Sequence, residues 1–151
     1  MQRPMTPFLA ALAVASCMAA APQQHPAAAP TPPPLTVMVE YTDNLGRVLT
    51  TPDGRTLYRY DREDAGKVLC VSTCTDTHKP LLTRPGTELR LPPGIVGTLG
   101  TVSLPDGGDQ VTYDGSPLYT YTADKQPGDT DGVTLHWHVI QPRNTPRAQG
   151  N

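Results

Sequence analysis

Phenylalanine is almost missing from this sequence: its one copy, Phe8, lies in an N-terminal apolar run, and the single tryptophan, Trp137, stands near the other end. Aromatic volume for a folded core must therefore come from six tyrosines and Trp137. Basic clusters are missing too. With 12 Lys and Arg against 14 Asp and Glu, and a pI near 6.0, the chain has no basic face to displace counterions from phosphates, so nucleic acid is not an expected partner. The apolar run PFLAALAVA (7–15) falls well short of the roughly 20 residues that span a bilayer as a helix. A nucleophile elbow, a metalloprotease histidine pair on a helix, a Walker loop and a dinucleotide glycine pattern are all absent. No catalytic constellation replaces them, and the chain is not expected to be an enzyme.

Turn formers are plentiful: 18 Pro and 13 Gly against 17% charged residues point to short strands and many turns. At the N-terminus, Arg3, the apolar run and the small-residue exit SCMAAAP make a secretory signal over residues 1–16. VASC (14–17) matches the bacterial lipobox, in which the cysteine is acylated and becomes the new N-terminus; ordinary cleavage after an alanine is the rival. Cys17 is then a lipid anchor, and the membrane a partner through it. Residues 17–34 read as a tether, because PQQHPAAAPTPPP (22–34) holds six prolines and no charge. An extended polyproline-like spacer of this length reaches about 50 Å at about 3.1 Å per residue.

From Leu35 the chain alternates β-type runs (TVMVEY, GRVLT, TLYRY, GTVSL, DQVTY, PLYTY, TLHWHVI) with Asp-Gly and Pro-Gly pairs. The expected fold is all-β: a compact, mainly antiparallel domain of short strands over residues 35–142, followed by a flexible tail, 143–151. At most one short helical turn is expected, in STCTDTHK (72–79), where Ser and Thr can cap and Pro80 closes the segment.

The domain also repeats itself. LYRYDRE (57–63) returns as LYTYTAD (118–124), each with an Asp-Gly pair just upstream. Strand alternation puts Tyr58 and Tyr60 on one face, and Tyr119 and Tyr121 likewise, as core residues. Glu63 and Asp124 follow the strand, where an acid can bind local backbone amides or reach a tyrosine hydroxyl. Upstream, LGRVLTTPDG (45–54) pairs with LGTVSLPDG (99–107), the second repeat then inserting GDQVTYDG. A duplication packed with approximate pseudo-symmetry explains why the motif is written twice.

Several residues invite a chemical reading. Cys70 and Cys74 offer a disulfide, a redox pair or half a metal site; in an exported protein the disulfide is favoured. His136 and His138 share a strand face about 7 Å apart, with Leu135, Trp137 and Val139 opposite. They would bind copper, zinc or haem if other ligands approached, or face solvent while Trp137 fills the core. In DKQPGDTDG (124–132), Asp129, Asp131 and Gly132 suggest a calcium loop without its full ligand alternation, so an acidic turn is the simpler reading. His78 beside Cys74 is a poor nucleophile dyad if Cys74 is bridged.

The paired tyrosine motifs, CVSTC (70–74), DQVTYDGSPLYTYTADKQPGDT (109–130) and Trp137 before Pro142 resemble the bacterial lipoproteins called secreted repeat of unknown function, over about residues 45–142. Their Y-x-[FWY]-x-x-D motif is filled by Tyr119, Tyr121 and Asp124, while the first repeat has Glu63 at the acid position. A second departure is THKPLL (77–82), where His78 and Lys79 stand at the first two places of the family's Trp-Pro-Pro. The resemblance implies location and architecture and brings no reaction. The expected role is therefore a lipid-anchored extracytoplasmic domain that binds or scaffolds an envelope protein or small ligand. The alternatives are metal or haem handling through His136 and His138, and thiol redox or electron transfer through Cys70 and Cys74.

Overall fold

The computed structural model describes residues 30–144; Cys17, the signal and most of the tether lie outside them. Short strands dominate, nearly all antiparallel, with Leu35–Thr36 beside Leu89–Arg90 as a parallel pair. The helical turn is Cys74–Thr77. Its N-cap residue, Thr73, makes no side-chain cap hydrogen bond, and the chain leaves the turn directly into an extended His78. Strand pairing runs to Asn144, where Arg143–Asn144 meets Ile95–Val96, two residues past the expected edge at 142.

Two hairpins frame the domain. Met38–Thr42 pairs with Gly46–Thr50, and Leu99–Ser103 with Asp109–Tyr113. The tyrosine strands build a four-stranded antiparallel sheet in the order Trp137–Val139, Tyr58–Tyr60, Tyr119–Tyr121, His78–Pro80. Tyr58 lies opposite Tyr119 at its centre, so a pseudo-twofold axis relates the halves. The outer strands are exchanged. His78–Pro80 follows the first repeat but pairs with the second repeat's Tyr119–Tyr121, and Trp137–Val139 follows the second but pairs with the first repeat's Tyr58–Tyr60.

Backbone hydrogen bonds show the duplication most directly. Leu49 N–H donates to Ile140 C=O, Ile140 to Leu57 and Leu57 to Leu49, at 2.8, 2.9 and 2.9 Å. Val111 donates to Leu81, Leu81 to Leu118 and Leu118 to Val111, at the same 2.8, 2.9 and 2.9 Å. The matching strands are therefore Gly46–Thr50 with Asp109–Tyr113, and Met38–Thr42 with Leu99–Ser103. This corrects the pairing of LGRVLTTPDG with LGTVSLPDG: GDQVTYDG is no insertion but the counterpart of the first hairpin's second arm. Both stretches end in Pro-Asp-Gly with the glycine left-handed, Gly54 at φ +86° and Gly107 at φ +89°. Their likeness reports a shared turn requirement and not a shared place.

Alternation along the tyrosine strands feeds two cores. Leu57 and Leu118 point into an aliphatic cluster with Val37, Leu49, Val111, Tyr113 and Ile140. Tyr58 and Tyr119 point the other way, into a second cluster with Cys70 and Trp137. Both inner tyrosines are fully buried, each worth roughly 1.5–3 kcal/mol of burial. Tyr60 and Tyr121 are only half-buried and pack at the cluster's edge. Leu135, expected on the Trp137 face, is 81% exposed. The strand begins two residues later, because Thr134 Oγ1 accepts the His136 and Trp137 N–H groups and turns the chain first.

Candidate functional site

The repeated motif closes on itself across the pseudo-axis. The Tyr58 hydroxyl donates to Asp124 Oδ2 at 2.7 Å, and the Tyr119 hydroxyl to Glu63 Oε1 at 2.8 Å, so each repeat's tyrosine bonds the other repeat's acid. Each acid also pins its own loop. Asp124 Oδ1 accepts Asp131 N–H at 3.1 Å, and Glu63 Oε1 accepts Leu69 N–H at 2.7 Å and Cys70 N–H at 2.9 Å. Glu63 Oε2 is buried without a partner. Burial pushes the Tyr58 and Tyr119 hydroxyls far above their ordinary pKa, their carboxylate partners adding to it, while the Gly132 backbone at Tyr58 and Gln110 at Tyr119 oppose it. They remain protonated donors and supply no nucleophile or base. Burial likewise raises the Asp124 carboxyl, against the lowering hydrogen bonds from Tyr58 and the Asp131 backbone.

Gly132 belongs to this interlock. Its N–H reaches the Tyr58 hydroxyl at 3.3 Å, and a Cβ there would come within 2.7 Å of Tyr121 and 2.8 Å of Tyr58. Only glycine lets the backbone lie against both rings. In the same turn, Asp129 Oδ2 accepts the Lys125 and Gln126 N–H groups, both at 2.7 Å. Its carboxylate holds the turn.

The two exchanged strands lie at opposite edges of the sheet, yet a ring from each reaches the other. Trp137 and His78, at corresponding places in the two repeats, stack at 3.7 Å with 5° between their planes. Tyr60 stacks on Trp137 at 4.9 Å, and Tyr121 tilts over His78 at 4.9 Å. His78 thus fills an aromatic place. Its Nδ1 lies 3.2 Å from Thr77 Oγ1, and its buried Nε2 makes no hydrogen bond of normal geometry. Burial lowers its pKa, and the nearby Gly132 backbone offsets this only in part.

Cys70 and Cys74 form a disulfide whose Cα atoms are 5.3 Å apart, with Cys70 buried against the tyrosine cluster. Cys74 has no free thiol to pair with His78. His136 and His138 gather on a residue that sequence reasoning passed over, Asp61. His136 Nδ1 is 3.2 Å and His138 Nε2 3.4 Å from its carboxylate, with all three side chains about one-third exposed. Desolvation raises the Asp61 carboxyl, and the hydrogen bonds and charges of the two histidines outweigh it, leaving the pKa below its ordinary value. Arg62 Nη2 lies 3.0 Å from His136 Nε2 and occupies that nitrogen as an acceptor. Among the described residues, no group of three or more His, Cys, Asp and Glu is arranged to hold a metal ion.

A duplicated β domain with crossed tyrosine and acid pairs is thus the class that fold and site define. Residues 100–141 match the family described as a secreted repeat of unknown function. The match covers one repeat, from the second hairpin through Trp137, and is narrower than the resemblance over residues 45–142. No curated protein and no solved structure matches the chain.

Proposed function

We propose that this chain is a lipid-anchored extracytoplasmic domain with a binding or scaffolding role and no catalytic activity. One observation carries the reading: Tyr58, Tyr119, Glu63 and Asp124, the first tyrosine and the acid of each motif, are buried and bonded in crossed pairs, so these motif residues serve the fold. The description of the matched repeat as secreted supports an exported protein. The lipobox VASC and the proline tether support the anchor, since the tether would hold a rigid domain clear of the membrane surface. Mass spectrometry of the membrane-extracted protein is expected to find acyl chains on an N-terminal Cys17. An unmodified N-terminus beyond residue 17 would remove the anchor.

A second reading, capture of copper, zinc or haem, is favoured by the gathering of His136 and His138 on the Asp61 carboxylate at an exposed site. It ranks below the first, because metal would have to displace those hydrogen bonds and the Arg62 contact. Calorimetric titration with copper and zinc tests it: binding weaker than about 100 μM, or unchanged by His136→Ala with His138→Ala, ends it. Thiol exchange through Cys70 and Cys74 ranks third, since Cys70 is buried and a reactive sulfur needs access.

A further inference from the structure

Two clefts lie each between a hairpin turn and the loop that follows a motif acid. One lies against the Tyr41–Asn44 turn and is lined by Asp43, Asp129 and Asp131. The other, of about 510 Å³, lies between the disulfide loop and the Leu104–Asp106 turn. Its walls are Val68, Val71, Pro80, Leu104 and Pro105, with Val71 51% exposed. This lining is apolar where that of the first cleft is acidic. A concave, mostly apolar site with a few polar groups is the usual form of a small-molecule pocket.

Those polar groups narrow the ligand. Gln110, which has no exposed surface, closes the floor and spends its Nε2 on Leu118 C=O at 2.9 Å. At the mouth stand Lys79 and Asp106. Asp106 Oδ1 already accepts Gly108 N–H at 3.2 Å, whereas the four ion pairs among the described residues leave the Lys79 ammonium free.

We propose that this cleft binds a small amphiphile with an apolar body and an anionic group toward Lys79. The inference rests on the binding role proposed above and gives it a ligand class. The probe is 1-anilinonaphthalene-8-sulfonate, which carries fused rings and a sulfonate, titrated by fluorescence into the full-length purified protein. Saturable one-site binding is expected, abolished by Val71→Trp, which fills the cleft, and weakened about fivefold by Lys79→Gln. Far-UV circular dichroism must match the parent in each variant, and the exposed Lys79→Gln remains decisive if Val71→Trp fails to fold. Absence of saturable binding below about 200 μM, or binding that Lys79→Gln leaves unchanged, overturns the proposal. Neither result bears on acylation of Cys17, which is read separately.

Discussion

The two repeats reach the same interlock with different chemistry. In the second repeat, Asp124 uses both oxygens, one for Tyr58 and one for the Asp131 amide. In the first, Glu63 brings three donors to Oε1 and leaves Oε2 buried and unpaired. The connections differ as well. From Glu63 to His78 is 78 − 63 = 15 residues and from Asp124 to Trp137 is 137 − 124 = 13, the longer path holding the disulfide and the helical turn. At the axis, an imidazole stands where its counterpart is an indole. What the fold requires at these places is a buried acceptor for the facing tyrosine and a flat ring for the stack, and it accepts more than one residue for each.

The strongest test of that equivalence compares inner with outer tyrosines. Tyr58→Ala and Tyr119→Ala remove fully buried rings from the centre of the sheet and are each expected to cost about 3–5 kcal/mol in urea unfolding. Tyr60→Ala and Tyr121→Ala, at half-buried positions, are expected to cost about half as much. Equal losses at all four positions would show that burial does not distinguish them. A loss that follows the repeat rather than the position would show that the halves are not energetically paired.

A finer test separates the two acids. Tyr58→Phe strips a hydroxyl that donates to Asp124 Oδ2 and accepts from Gly132, leaving a buried carboxylate oxygen bare, for an expected loss of about 1–3 kcal/mol. Tyr119→Phe leaves Glu63 Oε1 with two backbone donors and is expected to cost about 1 kcal/mol or less. If Tyr119→Phe proves the more damaging, the unpaired Glu63 oxygen matters more than the donor count on its neighbour.

Much of this architecture was legible in the sequence because it depends on local chemistry. Alternating tyrosines and Asp-Gly pairs specify strands and turns wherever they sit, and CVSTC lies in a loop short enough to bridge. The crossing of the acids was not legible. Tyr58 and Asp124 are 66 residues apart, Tyr119 and Glu63 56, and the local pattern is identical whether a tyrosine bonds its own acid or the other repeat's. Asp61 was overlooked for a similar reason: in YRYDRE it reads as a solvated turn residue, and only the pairing of His138 with Arg59 brings the two imidazoles to it. His78 stood out as a departure from the family pattern, but its role as partner to Trp137 needed the exchange of outer strands, which no periodicity encodes.

His78 also supplies the smallest and most specific difference between the repeats, because an indole does not titrate near neutrality and an imidazole does. Burial lowers the His78 pKa in the folded protein from its ordinary value of 6.5. As pH falls through that value, the unfolded chain takes up a proton before the folded one does. The stability contributed by neutral, stacked His78 is therefore fully present above about pH 6.5 and is lost progressively as pH drops toward the lower folded pKa. Asp124 acts in the opposite sense: its raised pKa makes stability fall as pH rises above the ordinary 3.8. His78→Phe keeps an aromatic plate against Trp137 and leaves Asp61, Asp124, His136 and His138 in place. The parent's melting temperature is expected to fall relative to the variant's between pH 7.5 and 5.5, because the parent alone loses the His78 contribution. Parallel curves would mean that the imidazole is not held neutral by the stack, and that the first repeat's aromatic place is filled by shape alone.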